Sequence, residues 1–265
     1  MKYITCLFFI MLLSCSRQKL VPVTIAPLDF PGMGYSKPNL FVYEVKQTDA
    51  AGVLSRIDTL GLFCSDNIMP DVDSQTSCQW ALITHKAGGY ELCTESPGGD
   101  HTGIKTRNLK LFIHPPRHGT FRLLEFCPMP EFYKVPADST WFWDLGIGSG
   151  WATPPCYPIA DLDTFHILYK LQDTVAIATM GGPSQCHHFT AVSKSVYGVA
   201  TGSYYVNNTG LVAFTLQPAC KGSFAFRLID KVAGIEGMAF NREFTWGYNR
   251  TKAIRNTFYG HLLRR

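Results

Sequence analysis

The feature that most constrains the fold is a run of closely spaced strand patterns between Phe165 and Phe214. Val175 and Ile177 alternate with small or polar residues, and this period near two predicts a β-strand. Residues 181–183 (Gly-Gly-Pro) end that strand, because glycine allows positive φ and proline cannot donate to a ladder. Residues 207–210 (Asn-Asn-Thr-Gly) predict a tight turn for the same backbone reason. The stretch therefore holds at least four strands, and strands joined this closely pair antiparallel.

This pattern resembles the C-terminal half of half-barrel envelope lipoproteins of bacteria, which are similar in architecture to lipoprotein carriers. The residues that carry the resemblance are Thr179, Gly181, Gly182, Cys186, Tyr204, Tyr205, Gly210, Leu211 and Val212. Residues 39–59, with a strand at 40–45, resemble the opening hairpin of the same group. The resemblance implies a mainly β fold: an antiparallel curved sheet or half-barrel whose concave face accepts an apolar ligand or lipid.

Composition allows one large core and argues against nucleic acid as a partner. Of the 265 residues, 46% are hydrophobic and only 17% are charged, so the chain has ample material for a single interior. The net charge is +4, and clustered Lys and Arg residues occur only at the C-terminus. The frequent Phe and Tyr residues favour sheets over helices.

The first 14 residues read as a signal peptide. Lys2 is a short basic region, and residues 4–13 form an apolar segment too short to cross a bilayer, where about 20 residues are needed. Residues 12–15 (Leu-Leu-Ser-Cys) resemble a bacterial lipobox. The resemblance implies cleavage before Cys15 and lipid attachment, including palmitate, at this cysteine. The alternative is an ordinary secretory signal with an incidental cysteine.

The expected location follows from the residues after Cys15. The residue after Cys15 is Ser16 and not Asp. By analogy with the sorting rule of enteric bacteria, this favours the periplasmic face of the outer membrane. Residues 15–38 are rich in Pro and Gly and predict a lipidated N-terminus followed by an extended tether. Residues 39–265 predict a single mainly antiparallel β domain. Its last residues, 249–265, allow a short C-terminal helix, since Ile254, Phe258 and Leu262 recur at helical spacing.

Elsewhere the domain shows further strand patterns. Residues 105–113 and 120–126 predict two strands, joined by a proline-containing turn at 114–119. The other predicted strands lie at 53–64, 79–85, 90–94, 141–143, 223–229 and 238–246.

Cysteines give no motif. The chain has nine, and removing Cys6 with the signal and Cys15 with the lipid leaves seven, so at least one thiol cannot pair. They are Cys64, Cys78, Cys93, Cys127, Cys156, Cys186 and Cys220. Export permits disulfides, but the pairing stays open, and we expect several of these cysteines to be buried inert thiols.

Four further features are candidate binding or catalytic sites, but each is also explained by an ordinary structural role. Cys186, His187 and His188 suggest a metal site with His114 and His118, but neighbours on a strand face opposite sides. Residues 146–150 are glycine-rich but lack the Lys-Ser/Thr of a phosphate loop. The other features are two carboxylate pairs and an aromatic cluster suited to a sugar or apolar ligand: Asp71, Asp73, Asp161, Asp163, Trp141, Phe142, Trp143, Trp151 and Tyr157. We expect no metal and no cofactor.

Three function classes remain. The first is a non-enzymatic, lipid-anchored envelope protein that binds an apolar ligand or lipid in a concave sheet. The second is a structural or assembly component of the envelope with an envelope protein partner and no small ligand. The third is a glycan hydrolase, for which the sequence offers no catalytic motif. Oligomeric state and biological process are not encoded in any recognisable pattern.

Overall fold

The protein folds as one antiparallel β-sheet. The computed structural model describes residues 27–68, 75–87, 89–93, 100–107, 109–117, 119–147, 163–220 and 222–234. The strands are β1 (Asn39–Thr48), β2 (Leu54–Ile68), β3 (Thr76–Lys86), β4 (Gly89–Leu92), β5 (Asp100–Arg107), β6 (Lys110–Ile113), β7 (Glu131–Tyr133), β8 (Thr140–Ile147), β9 (Asp163–Thr179), β10 (Gly182–Ser195), β11 (Gly198–Asn207), β12 (Gly210–Gln217) and β13 (Ser223–Ala233).

The strand order confirms the predicted fold class. The described residues form a sheet of 13 strands in the order β7-β6-β5-β3-β2-β1-β13-β12-β11-β10-β9-β8, with β4 paired to β3 beside this path. Strands β8 to β13 pair in sequence order, and β13 then pairs with β1. Gly182 and Gly210, which begin β10 and β12, have φ of 99° and 137°, as the turn argument requires. The predicted C-terminal helix and the strand at 238–246 lie outside the described residues.

The sheet curls until its two ends face each other. Strands β7 and β8 stand at opposite ends of the strand order. Even so, the rings of Tyr133 on β7 and Trp141 on β8 have centroids 5.6 Å apart. The rings of Phe112 on β6 and Trp143 on β8 are 5.7 Å apart. We call this side-chain contact between the ends the seam; among the described residues no ladder of backbone hydrogen bonds closes it.

One face of the sheet, the inner face, carries the main core. Strands from both halves contribute to a single buried cluster, including Tyr43, Trp80, Phe132, Tyr169 and Phe226. A smaller cluster around Leu40, Val42 and Ile83 covers the opposite face near β4. The curvature therefore turns one side of a single sheet into the interior of the protein.

Two of the predicted strands are wrong. Residues 105–113 are not one strand, because they hold the end of β5 and all of β6, which pair antiparallel with Arg107 opposite Lys110. Residues 120–126 lie in a 3₁₀ helix, Gly119–Phe126, inside the connection between β6 and β7. These two strands already pair with each other, with Lys110 opposite Tyr133, so the connection between them is not part of the ladder. Its apolar residues Phe121, Leu124 and Phe126 are buried instead against the inner face. Burial against distant strands, not local propensity, decides its conformation.

The packed part of the chain also begins earlier than residue 39. Leu28, Phe30, Met33 and Tyr35 are buried, although the sequence assigned them to the extended tether. The Lys231 ammonium donates to the Met33 carbonyl at 2.8 Å, and the Asn39 amide donates to that of Gly34 at 2.6 Å. Apolar side chains thus fix the stretch that precedes β1 to the sheet.

Candidate ligand site on the inner face of the sheet

The concave inner face is where the resemblance to half-barrel envelope lipoproteins implied an apolar ligand. Its centre is a stack of aromatic rings. Phe214 and Phe226 are parallel with centroids 4.1 Å apart, and Phe226 also meets Trp80 at 6.3 Å. Tyr43 meets Trp80 at 5.5 Å. These rings are in contact with one another, so the middle of the face is packed with the protein's own side chains.

A segment of the chain lies over this aromatic centre. We define the inner segment as residues 114–130, of which the structure describes all but residue 118. The ring of Phe121 lies 6.5 Å from that of Phe226 in the aromatic centre, and the ring of Phe126 lies 6.0 Å from that of Phe165. Leu124, between them, has no exposed surface. The inner segment therefore occupies the place that the resemblance assigned to a ligand.

Three side chains of the sheet hold the inner segment by its backbone carbonyls. The indole nitrogen of Trp80 on β3 donates to the His114 carbonyl at 2.7 Å. The hydroxyl of Tyr169 on β9 donates to the Met129 carbonyl at 2.9 Å. The hydroxyl of Tyr204 on β11 donates to the Pro128 carbonyl at 2.5 Å. Buried carbonyls outside regular structure need such partners, so these bonds fix the segment in place.

Burial also keeps the two tyrosines neutral. Burial, followed by the Glu131 carboxylate, raises the pKa of Tyr169 well above its ordinary value. Burial, followed by Tyr169, does the same to the pKa of Tyr204. Both phenols therefore keep the protons that they donate to the segment.

A polar cluster lies beside the seam. Glu131 is only 3% exposed and forms an ion pair with Lys110, while the Tyr133 hydroxyl donates to Glu131 Oε1 at 3.2 Å. Burial lowers the pKa of Lys110, but the bonds to Glu131 and Tyr133 outweigh it and raise that pKa overall. Glycoside hydrolysis ordinarily uses two carboxyl groups that flank the scissile bond, and this cluster contributes one, Glu131. This cluster therefore does not favour the glycan-hydrolase hypothesis.

The predicted metal-site residues are separated by the strand and engaged elsewhere. Cys186 is buried in the core, and His188 on the same strand stacks on Tyr205 at 4.7 Å. His188 Nε2 is 2.9 Å from the Ser203 hydroxyl. His114 Nδ1 lies 2.8 Å from the Pro115 carbonyl. Within the described part of the chain, no group of three or more His, Cys, Asp or Glu side chains could hold a metal ion.

The aromatic cluster divides between two faces. Trp141 stacks on Tyr169 at 5.4 Å with parallel planes, and Trp143 meets Phe112 at the seam, so both support the core. Phe142, between them in sequence, is 75% exposed and points away from it. The other predicted candidates lie outside the described residues or have no described side chain: Cys15, Asp71, Asp73, His118, Gly148, Ser149, Gly150, Trp151, Tyr157, Asp161 and Asp163.

Sequence reasoning missed an outward-facing row of three apolar residues. Phe142 on β8 lies directly opposite Leu168 on β9, which is 40% exposed, and Leu168 lies opposite Val192 on β10. We call these three residues the outer stripe. The alternation in Trp-Phe-Trp carried the signal, because neighbours on a strand face opposite sides. The inner segment left no comparable signal.

No family model and no curated protein sequence matches this chain. Similar solved structures include a protein from Parabacteroides distasonis predicted to be a lipoprotein, with TM-score 0.37 and 10% identity, covering 78% of this chain and 100% of that one. A predicted exported protein with a YmcC-like fold from Bacteroides fragilis gives TM-score 0.36 and 10% identity over 74% and 95% of the two chains. The hypothetical lipoprotein YmcC from Escherichia coli has a TM-score of 0.34 and 9% identity, and the match covers 77% of this chain and 89% of that one. These similarities define neither a family nor an activity.

No helix within the described residues is both long and apolar enough to span a membrane.

Proposed function

We propose that this chain is a lipid-anchored protein of the bacterial cell envelope and acts there as a structural or assembly component. In this proposal the inner face carries no apolar ligand. The observation that supports it most strongly is the inner segment, in which Phe121 lies against Phe226 of the aromatic centre and Phe126 lies against Phe165. The carrier hypothesis needs an apolar cavity at the same place. An empty cavity is costly, because the residues around it lose their packing contacts.

Displacing the inner segment to admit a ligand would also be costly. It would break the hydrogen bonds from Trp80, Tyr169 and Tyr204 to the segment's carbonyls. Each buried carbonyl left without a donor costs about 1–3 kcal/mol. A ligand would have to repay those losses and the apolar contacts of the segment. The geometry therefore favours a closed interior.

In a protein with a closed interior, contacts with partners fall on the surface. The outer stripe offers such a surface, since Phe142 and Leu168 are adjacent, apolar and exposed on strands β8 and β9. Strand β8 ends the strand order, and exposed apolar side chains at a sheet edge favour association with another protein. We infer that the partner is another envelope protein, bound at this edge.

Lipid anchoring is the second part of the proposal, and it rests on residues 12–15. We propose the periplasmic face of the outer membrane, because the residue after Cys15 is Ser16. A disulfide at Cys220 is compatible with an exported protein, because disulfides persist in oxidising compartments. In this proposal the residues between Cys15 and residue 27 link the lipid to the packed stretch 27–35. The chain would then enter the domain beside the start of β12. Asn208 bonds there to Asp29 and Pro27.

Anchoring is tested by intact mass and by phase separation. The mature N-terminus should be Cys15 carrying acyl chains, and two chains already suffice for stable membrane attachment. Cys15→Ala should move the protein from the detergent phase to the aqueous phase, whereas Cys127→Ala, a matched cysteine variant, should leave it in the detergent phase. An unacylated N-terminus on the full chain would contradict the proposal. Protease treatment of intact cells would distinguish the periplasmic face from the cell surface.

A further inference from the structure

Two cysteines lie directly opposite each other in the interior. Cys64 on β2 pairs with Cys78 on β3 in the antiparallel register, and both side chains have 0% exposure in the inner-face core. Opposed residues on antiparallel strands have Cα atoms about 4.5–5.5 Å apart. Disulfides span Cα separations of about 4.4–6.8 Å. The register therefore places the two Cα atoms within the range that a disulfide spans, and the structure holds both residues as thiols.

The pKa of Cys64 is also affected by Cys78, as expected for two neighbouring thiols. Burial, followed by the neighbouring Cys78, raises the pKa of Cys64 well above its ordinary value, while Lys231 acts in the opposite direction. A neutral thiol is a poor nucleophile, and no oxidant can reach a side chain with no exposed surface. The pair can therefore react only before β2 and β3 are sealed in the core.

We propose that Cys64 and Cys78 form a disulfide while the chain folds in an oxidising compartment, and that this bond joins β2 to β3. The proposal rests on the export that the proposed function includes. The thiolate of one cysteine attacks an oxidant that carries a disulfide, which forms a mixed disulfide and releases one thiol of the oxidant. The second cysteine then attacks that mixed disulfide and releases the other oxidant thiol. The cysteine pair loses two electrons and two protons, and the oxidant's disulfide is reduced to a dithiol.

Two other buried cysteines are natural controls. Cys127 lies next to the 3₁₀ helix, with its sulfur 3.8 Å from the Leu123 carbonyl. Cys186 lies on β10 opposite Val175 of β9. Both are buried like the pair, but among the described strands no cysteine lies opposite either of them. Because they are buried but do not face another cysteine, we expect both to remain thiols.

The position of the bond gives it a structural role. Strand β3 pairs with β2, β4 and β5, so it joins the short strands β4 to β7 to the rest of the sheet. Its link to β2 has an irregular register beyond Cys64. A covalent bond at Cys78 would hold this junction and close the loop between the two strands.

The direct test is oxidative refolding. Full-length protein purified from membranes is reduced, unfolded and refolded in detergent with reduced and oxidised glutathione. Remaining thiols are then alkylated under denaturing conditions, and peptides are identified by mass spectrometry. We expect Cys64 and Cys78 in one linked peptide pair that lacks two hydrogens, with Cys127 and Cys186 alkylated. Alkylated Cys64 and Cys78, or either one linked to a different cysteine, would overturn the proposal.

A parallel sample is alkylated directly after extraction, without refolding. Linked Cys64 and Cys78 in this sample would support both the pairing and export. A pair that is alkylated here but linked after refolding would support the pairing and contradict export into an oxidising compartment.

Thermal unfolding provides a second readout. Reduction should lower the melting temperature of the wild type by on the order of 5–10 °C more than that of Cys64→Ala, because a cross-link of this loop length restricts the unfolded chain. The bridge at Cys220 contributes equally to both proteins. Equal shifts in the two proteins would overturn the proposal.

Discussion

The long strands β9 to β13 and the inner segment are both buried in the same core, but different interactions place them. Each of the five strands pairs with its neighbour in sequence through a short connection. The inner segment is held by residues far away along the chain. Tyr204 and Pro128 are 76 positions apart, and Tyr169 and Met129 are 40 apart. Local signals specify the first region, and tertiary packing alone specifies the second.

The sharpest contrast should come from truncating one apolar side chain in each region. Leu124→Ala in the inner segment should lower the free energy of unfolding by about 2–5 kcal/mol, because Leu124 is fully buried and leaves a cavity. Val199→Ala on β11 should change it by less than about 0.5 kcal/mol, since Val199 is 54% exposed. Denaturant unfolding at equilibrium measures both values.

A small effect of Leu124→Ala, similar to that of Val199→Ala, would break the comparison. It would mean that the inner segment covers the sheet loosely and contributes little to the core.

The turns of the long-strand region should be sensitive wherever glycine is required. Gly210→Val should cost about 1–3 kcal/mol, because Gly210 has φ of 137° and an added Cβ would come within 2.6 Å of the Tyr35 hydroxyl oxygen. Gly181→Val is the matched control, because its Cβ would meet nothing within 4 Å. Thermal unfolding of the two variants measures the difference. Equal melting temperatures would show that the β11–β12 turn does not have this conformation.

The smallest expected effect is the loss of one hydrogen bond between the two regions. Tyr204→Phe removes the donor to the Pro128 carbonyl and should cost about 1 kcal/mol at neutral pH. Phe214→Leu would not serve as a control, because it changes packing. Tyr205→Phe on the same strand does serve, since Tyr205 is only partly buried and stacks on His188 outside the inner segment.

Tyr204→Phe and the wild type should also differ in alkaline solution. Burial raises the pKa of Tyr204 well above the value of about 10 for an unfolded chain, so the folded state keeps a proton that the unfolded state loses. Stability from this group is fully present below about pH 10 and is lost as the pH rises from there towards the folded pKa. The fall should therefore be shallower in Tyr204→Phe than in wild type, by about 0.7 kcal/mol per pH unit on average between pH 9 and 11. Urea titrations between pH 9 and 11 would contradict this if the two slopes were equal.

The comparison also explains what could be predicted from the sequence. Period-two patterns and glycine turns gave the antiparallel sheet and the positive φ of Gly182 and Gly210, because these features depend on neighbouring residues. Residues 120–126 were mistaken for a strand because their apolar content matches either conformation, and only the pairing of β6 with β7 excludes them from the ladder. The burial of Phe30 and Tyr35 was missed for a related reason: Pro and Gly mark loops but do not say what the loops touch.

At the candidate site, the sequence identified the concave face but not its occupant. The Trp80, Tyr169 and Tyr204 donors read as ordinary sheet aromatics, and their acceptors are backbone carbonyls, which carry no sequence signal. The outer stripe could have been found from the alternation at Trp141–Phe142–Trp143. The opposed Cys64 and Cys78 required the strand register.

The central claim is that the inner face is filled by the protein's own chain, and native mass spectrometry tests it most directly. The Cys15→Ala protein, which should carry no acyl chains, is purified without stripping bound lipids, and its mass is measured under native conditions. The account predicts the mass of the bare polypeptide. A stoichiometric apolar molecule that remains bound, and that is released when the protein is unfolded, would contradict it and restore the carrier hypothesis.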